Sequence, residues 1–291
     1  MSLQAAPDRV GENVTIARDV ATLRAIVADW RAAGERIALV PTMGALHAGH
    51  LSLVEAAKQR AGRTILSIFV NPTQFAPGED FAAYPRAFER DVAAFAAAGG
   101  DLVFAPGVET VYPAGFATTV LVGGPAKAGL EDSFRPDHFA GVATVVAKLF
   151  QQCRPDLVIF GEKDYQQLKV VEQMVRDLDL GVEIVGAPTL RARDGLALSS
   201  RNQYLSPEER VLAPLLYAAL LRCRDALRDG AALDVALASA RAALAAAGFT
   251  VDYLEARHAE TLAPVVEGEV PIRLLAAARL GATRLIDNIA V

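Results

Sequence analysis

The chain has 291 residues and a formal net charge of −5, with 53% of its residues apolar and 22% charged; the length suits about two domains with a sizeable core. Charges of both signs are spread along it without a basic block, which disfavours bulk nucleic-acid binding, and no uninterrupted apolar run reaches the ~18 residues of a membrane span. The opening "MSLQAAPDRVGENVT" lacks the basic start and apolar core of a secretory signal, and Cys153 and Cys223 stand far apart without ligand-like spacing, as thiols in a reducing cytoplasm do.

Taken in chain order, "RIALV" (36–40) predicts a buried strand and "HLSLVEAAKQRAG" a helix after it, begun over Ala48 to Leu53. "TILSIFV" (64–70) predicts a second strand, "YPRAFERDVAAFAAAGG" a helix stopped by Gly99 and Gly100, and "DLVFAP" a third strand. "HFAGVATVVAKLFQQCR" predicts a helix, "DLVIFG" (156–161) a strand, "YQQLKVVEQMVRDLDL" a helix and "VEIVGAP" a strand. Short Val/Ile/Leu runs alternating with helical periods indicate a parallel sheet with crossover helices. After about residue 188 the rhythm changes. "SPEERVLAPLLYAALLRCRDALRDG" predicts one helix with Ser206 as N-cap and Pro207 at its first position, "LDVALASARAALAAAG" a second, and "TVDYLEAR", "IRLLAAARL" and "TRLIDNIAV" short strands. The expected fold is α/β: a Rossmann-like parallel-sheet domain over 1–187 and a smaller C-terminal α+β domain over 188–291.

Ligands of such sheets sit at the carboxyl ends of the strands, so each strand exit bears on function. "PTMGALHAGH" (41–50) follows the first strand. Gly44 and Gly49 let backbone approach a ligand, and the N–H groups of a helix start favour an anion. His47 and His50, three apart on one helical face, suit a polyphosphate whose leaving group gathers charge. In isolation such a pair also serves as caps or core. "FVNPTQF" (69–75) offers Asn71 and Gln74 as neutral partners for a hydroxyl or carboxylate, or a plain Asn-Pro turn. "GEKDYQQL" (161–168) offers Lys163 to phosphate, Asp164 to a cap or a magnesium ion, and Gln167 a turn later; alone it is also an ordinary charged turn. "RDGLALSSRNQYLS" (193–206) brings Ser199, Ser200 and the guanidinium of Arg201, which grips phosphate bidentately; the bland alternative is a solvated polar turn. Cys and His are too few at suitable spacings for a structural zinc site.

These segments, with "DHFAGVATVVAKLF", "VDYLEAR" and "ARLGATRLIDNI", closely resemble the pantothenate synthetase (pantoate–β-alanine ligase) family, in family order from about residue 14 to the end. "HAGH" alone is shared with other nucleotidyltransferase-like proteins, including class I aminoacyl-tRNA synthetases; the ordered set is specific. Two rivals stand beside it: a cytidylyltransferase-like enzyme, which would not carry the paired Gln74 and Gln167, and a non-catalytic nucleotide binder, against which intact His47, His50, Lys163 and Arg201 speak.

The resemblance implies ATP-dependent joining of pantoate and β-alanine through a pantoyl adenylate, with magnesium bound mainly through the phosphates. It implies that Met43, Gly44, Ala45, Leu46, His47, Ala48, Gly49 and His50 bind ATP, His50 matching the family's proton donor. Gly161, Glu162, Lys163 and Asp164 match a second nucleotide segment, Leu190 a contact to adenosine, and Leu198, Ser199, Ser200 and Arg201 a phosphate loop of a second domain that closes over the site. His47, His50, Lys163 and Arg201 carry the catalytic charge. Gln74 and Gln167 match pantoate-binding glutamines, with Gln74 also near β-alanine and Asn71 supporting it. Arg135 and His138, in "RPDHFAG", look like a pocket-closing pair, and Thr73 stands where many members have Met. The resemblance further implies a homodimer with small-molecule substrates and neither nucleic acid nor membrane as partner.

Overall fold

The computed structural model describes residues 8–10, 14–76, 78–79, 81–265 and 271–291; much of the opening stretch read for a secretory signal lies outside them. The chain folds into two compact units, each assembled from several segments. The first comprises 1–122, 135–161 and 170–187, the second 123–134, 162–169 and 188–291. The chain thus crosses between units at 187/188, and also at 122/123, 134/135, 161/162 and 169/170.

The first unit begins with β1 (Asp8–Val10), β2 (Val14–Ala17) and α1 (Val20–Ala32). Then come β3 (Ile37–Thr42), α2 (Ala48–Lys58), β4 (Arg63–Ile68), α3 (Phe88–Ala97), β5 (Leu102–Phe104) and the short α4 (Val108–Val111). After α5 (Glu131–Phe134) of the second unit, α6 (His138–Cys153) and β6 (Leu157–Gly161) return to the first. Helix α7 (Tyr165–Asp177) carries the chain across, and β7 (Glu183–Ala187) completes the sheet. The strand order is β1-β2-β5-β4-β3-β6-β7. Every pairing is parallel except β1 with β2. The parallel sheet was expected; its β1–β2 edge was not, because Val14–Ala17 is too short to show a period.

Strand β3 lies between β4 and β6, and Ile37, Ala38, Leu39 and Val40 are all fully buried. A strand covered on both faces must be apolar at every position, which is why "IALV" does not alternate. Aspartates pin the strand starts: Asp156 accepts the Ile37 N–H at 2.7 Å and Asp101 the Thr64 N–H at 2.8 Å. Helix α3 starts at Phe88, not at Tyr84 as the sequence suggested; Pro85 disfavours helical backbone at Tyr84.

The second unit contains α8 (Pro207–Leu212), α9 (Leu215–Arg228), α10 (Leu233–Ala246) and the antiparallel sheet β10-β9-β8, built from β8 (Thr250–His258), β9 (Ile272–Leu280) and β10 (Thr283–Ala290). The single helix expected from Ser206 to Gly230 is two helices. Pro214 has no N–H to give the preceding turn, and its ring would strike the carbonyl four residues back. Ser206 does cap α8, its hydroxyl accepting the Glu209 N–H at 3.2 Å. Leu216, Leu220, Leu244, Leu254 and Leu274 lie in the core under this sheet.

Both cysteines are free and buried. Among the described residues no helix is long and apolar enough to cross a membrane. Leu66 on β4 is fully buried in the core of the first unit. Leu66→Ala should therefore lower the unfolding free energy by about 2–5 kcal/mol, whereas Val211→Ser, at a position 75% exposed, should stay within about 0.5 kcal/mol. Denaturant titration of both variants checks the contrast.

Candidate active site

The exit of β3 is a strained turn held by a buried carboxylate. Gly44 (φ 84°) and Ala45 (φ 52°) both adopt left-handed backbone. A Cβ at Gly44 would lie 3.0 Å from Asp91 Oδ2 and 3.2 Å from Ile68 Cγ2, so a side chain there would be strained and would crowd both neighbours. Asp91 of α3, 1% exposed, accepts the Ala45 N–H at Oδ2 and the Leu46 N–H at Oδ1, each at 2.8 Å. Two charge-assisted bonds satisfy the buried carboxylate and over-determine a backbone that Ala would otherwise avoid.

The two histidines cap α2 reciprocally. His47 is the N-cap and accepts the Gly49 N–H at Nδ1 (3.1 Å), while His50 Nδ1 accepts the His47 N–H (3.4 Å). They take the places that Ser or Thr and Glu occupy in an ordinary capping box. The ring centroids are 4.1 Å apart. An imidazole nitrogen that accepts an N–H carries no proton, so in the neutral ring the proton is on Nε2. Both rings therefore hold an Nε2–H donor at the positive end of a helix, a combination that suits an anion.

At the exit of β4, Asn71 organises a 3-10 turn over Pro72–Gln74. Its Oδ1 accepts from Tyr112 Oη (2.8 Å) and Thr73 Oγ1 (3.0 Å). Its Nδ2 donates to Gln74 Oε1 (3.1 Å) and to the Gly141 carbonyl (3.2 Å). The Gln74 oxygen is thus occupied and its amide nitrogen is turned the other way, 3.3 Å from Met43 Sδ. Thr73 is tied to Asn71 by a hydroxyl bond that Met could not make. Helix α6 comes so close that a Cβ on Gly141 would sit 2.3 Å from the Thr73 carbonyl oxygen.

Arg135 and His138 hold the same turn from its backbone. His138 Nδ1 donates to the Gln74 carbonyl at 2.9 Å, and Arg135 Nη2 donates to it at 3.2 Å. Arg135 also pairs with Glu79 at 2.7 and 2.9 Å. Burial alone would raise the Glu79 carboxyl, but the hydrogen bonds and charge of Arg135 prevail and keep it below its ordinary value.

In the second unit, Glu162–Asp164 forms a 3-10 turn directly after Gly161, the last residue of β6. Lys163 Nζ lies 3.6 Å from Asp164 Oδ2. The two glutamines that open α7 part company. Gln166 is buried, bonded to the Glu131 N–H, the Pro125 carbonyl and Asp132. Gln167 is half-buried and, among the described residues, its side chain has no hydrogen-bond partner. Leu190 and Leu198 are brought together by a backbone bond of 3.0 Å across a tight turn at Gly195 (φ 95°). Ser199 caps the following 3-10 turn over Ser200–Tyr204, its hydroxyl accepting the Arg201 N–H at 3.3 Å.

Sequence reasoning missed Asp91, whose carboxylate fixes the whole approach to His47. Asp91→Asn keeps the shape but turns an NH2 toward one of two backbone N–H groups. Its unfolding free energy should fall by about 1–3 kcal/mol, and hydrogen exchange at Ala45 and Leu46 should accelerate far more than along β4. Unchanged protection at those two amides would show that the carboxylate does not hold the turn.

The comparisons with known proteins agree over nearly the whole chain. The family model described as pantoate-beta-alanine ligase matches residues 15–290. Pantothenate synthetase 2 of Bradyrhizobium diazoefficiens is 61% identical over 277 residues, covering 95% of this chain and 98% of its own. Pantothenate synthetase of Rhodopseudomonas palustris is 59% identical over 279 residues, covering 95% and 98%. Among solved structures, pantothenate synthetase from Thermus thermophilus superposes with a TM-score of 0.89 at 52% identity, covering 94% of this chain and 98% of that one. Pantoate-beta-alanine ligase from Francisella tularensis, solved as a complex with beta-gamma ATP and β-alanine, superposes with a TM-score of 0.78 at 33% identity, covering 94% and 97%. With its fold and nearly its full length shared, this chain belongs to the pantoate–β-alanine ligase family.

Proposed function

We infer that the family's reaction, the ATP-dependent ligation of pantoate to β-alanine, runs on this chain through a pantoyl adenylate, and that the residues above divide its two halves between them. A pantoate carboxylate oxygen attacks the α-phosphorus of ATP, the bond to the bridging oxygen breaks, and pyrophosphate leaves with the charge. The β-alanine amine then attacks the acyl carbon and loses a proton as AMP departs, giving pantothenate. Adenylation is needed because a free carboxylate is a poor acyl donor.

One observation carries the reading. Gln74 Nε2 meets Met43 in the turn that leads into His47 and His50. A neutral amide suited to a carboxylate therefore adjoins an anion-binding helix start within one unit. Gln74 and Gln167 orient pantoate without quenching its nucleophilicity, while Asn71, Arg135 and His138 hold Gln74. The Nε2–H groups of His47 and His50 donate to phosphate oxygens as charge builds on the leaving group. This role follows from their tautomers and needs no complete proton transfer. Lys163 and Arg201 add fixed positive charge; Gly161, Glu162 and Asp164 shape the turn that bears Lys163. Leu190 lies against adenosine, and Leu198, Ser199 and Ser200 line the phosphate loop. Magnesium enters as part of the nucleotide substrate and neutralises its phosphates. The chain works in the cytoplasm as a homodimer on small molecules; light scattering at twice the chain mass tests the dimer, and a monomeric mass would refute it.

Pyrophosphate release from ATP and pantoate should occur as a single-turnover burst without β-alanine, and AMP should appear only when β-alanine is added. Pyrophosphate that appears only with β-alanine contradicts the order of steps.

His50→Ala should slow adenylation by roughly 10²–10³-fold, as loss of an oxyanion-type donor does, and should affect the second half-reaction, started from supplied pantoyl adenylate, far less. Equal losses in both halves would count against a phosphate-directed role.

A further inference from the structure

Lys163 sits on a turn whose main chain is held by a residue more than a hundred positions later. In the second unit, Asn288 of β10 is 3% exposed. Its Nδ2 donates one hydrogen bond to the Glu162 carbonyl and one to the Lys163 carbonyl, each at 2.9 Å. Its Oδ1 accepts from Arg273 Nε of β9 at 2.7 Å. Arg273 closes the circuit by donating through Nη2 to Glu162 Oε2 at 3.0 Å, and it lies over the Tyr165 ring at 4.1 Å. The next residue back, Asp287, grips Arg191 through both oxygens at 2.5 and 2.8 Å and accepts the Asn288 N–H at 2.7 Å.

A three-residue 3-10 turn has few carbonyl bonds of its own. Asn288 donates to both the Glu162 and the Lys163 carbonyl from one nitrogen while its oxygen is held by a guanidinium. Asp at this place has no proton to donate, and Gln is a methylene too long to keep the same three partners. The spacing between the two carbonyls, and with it the direction in which the Lys163 side chain departs, is thereby set before any ligand arrives. A charge stabilises a reaction best when it needs no reorganisation at the moment of transfer.

We propose that Asn288 is a positioning residue for the adenylation step, fixing through the Glu162 and Lys163 carbonyls the main chain that delivers the Lys163 ammonium to phosphate. The inference rests on the reading of Lys163 as a charge that stabilises phosphate.

The test is a double-mutant cycle on the full chain, read as single-turnover pyrophosphate release from ATP and pantoate, with thermal unfolding followed in parallel. Asn288→Ala in the otherwise unaltered chain should slow this step by roughly 10²-fold, the scale of a misplaced catalytic group, with little change in the ATP and pantoate concentrations that half-saturate it. In a Lys163→Ala background the same substitution should cost less than about twofold, within the usual error of additivity. The same fold-loss in both backgrounds would overturn the proposal and leave Asn288 a stabilising residue only. A wild-type rate in Lys163→Ala alone would instead remove the reading of Lys163, and this inference with it. Should Asn288→Ala fail to fold, Asn288→Asp, which has the same volume, and Arg273→Gln, which strikes the anchor from β9, carry the same comparison to the same two outcomes.

Discussion

Two backbone amides held by one buried carboxylate, those of Ala45 and Leu46 on Asp91, set the geometry on which the rest of the first unit's site depends. Left-handed backbone at a glycine followed by an alanine is not a conformation the chain would keep unaided. With Asp91 in place the turn delivers His47 to the N-cap, and the cap fixes which nitrogen of each histidine bears the proton. Met43, in the same turn, lies against the amide of Gln74. The helix start that bears the two histidines and the amide of Gln74 thus meet at one turn.

The chemistry explains why such rigidity matters. A carboxylate must approach a phosphate, and both are anions. Mobile donors would have to be ordered at the moment of reaction, whereas donors already bonded from behind cost no such reorganisation. In each unit an asparagine bonds neighbouring polar groups from behind. Asn71 spends its amide on Gln74 and the Gly141 carbonyl, leaving Gln74 a single orientation. Asn288 spends its amide on the carbonyls around Lys163. Neutral amides do this well because they supply donors and an acceptor without adding a charge that would compete with the substrate's own.

Much of this was legible in the sequence, for identifiable reasons. The strands at 36–40, 64–70 and 156–161 are continuous apolar runs because both faces of the sheet are covered. The histidine pair stood out through its spacing beside glycines, whereas the break inside the helix expected after Ser206 was missed, although Pro214 was there to mark it. Residues 8–32 carried weaker signals: β2 is four residues long, and β1 adds an antiparallel edge to a parallel pattern. Asp91 was not singled out. It is four residues before Phe95, on the buried face, and that phase was the available clue. Asp287 likewise falls in step with Leu285 and Ile289 on β10. What Asn288 touches was not legible at all, since its partners are 125 and 126 residues away.

In the proposed reaction the pantoate carboxylate becomes reactive by accepting the adenylyl group of ATP, and isotope tracing follows that transfer most directly. Pantoate labelled with oxygen-18 in its carboxylate, turned over with ATP and β-alanine, should deliver one labelled oxygen to AMP, because the attacking oxygen leaves with the adenylyl group. Label found only in pantothenate, or in pyrophosphate or phosphate, would contradict the acyl-adenylate route.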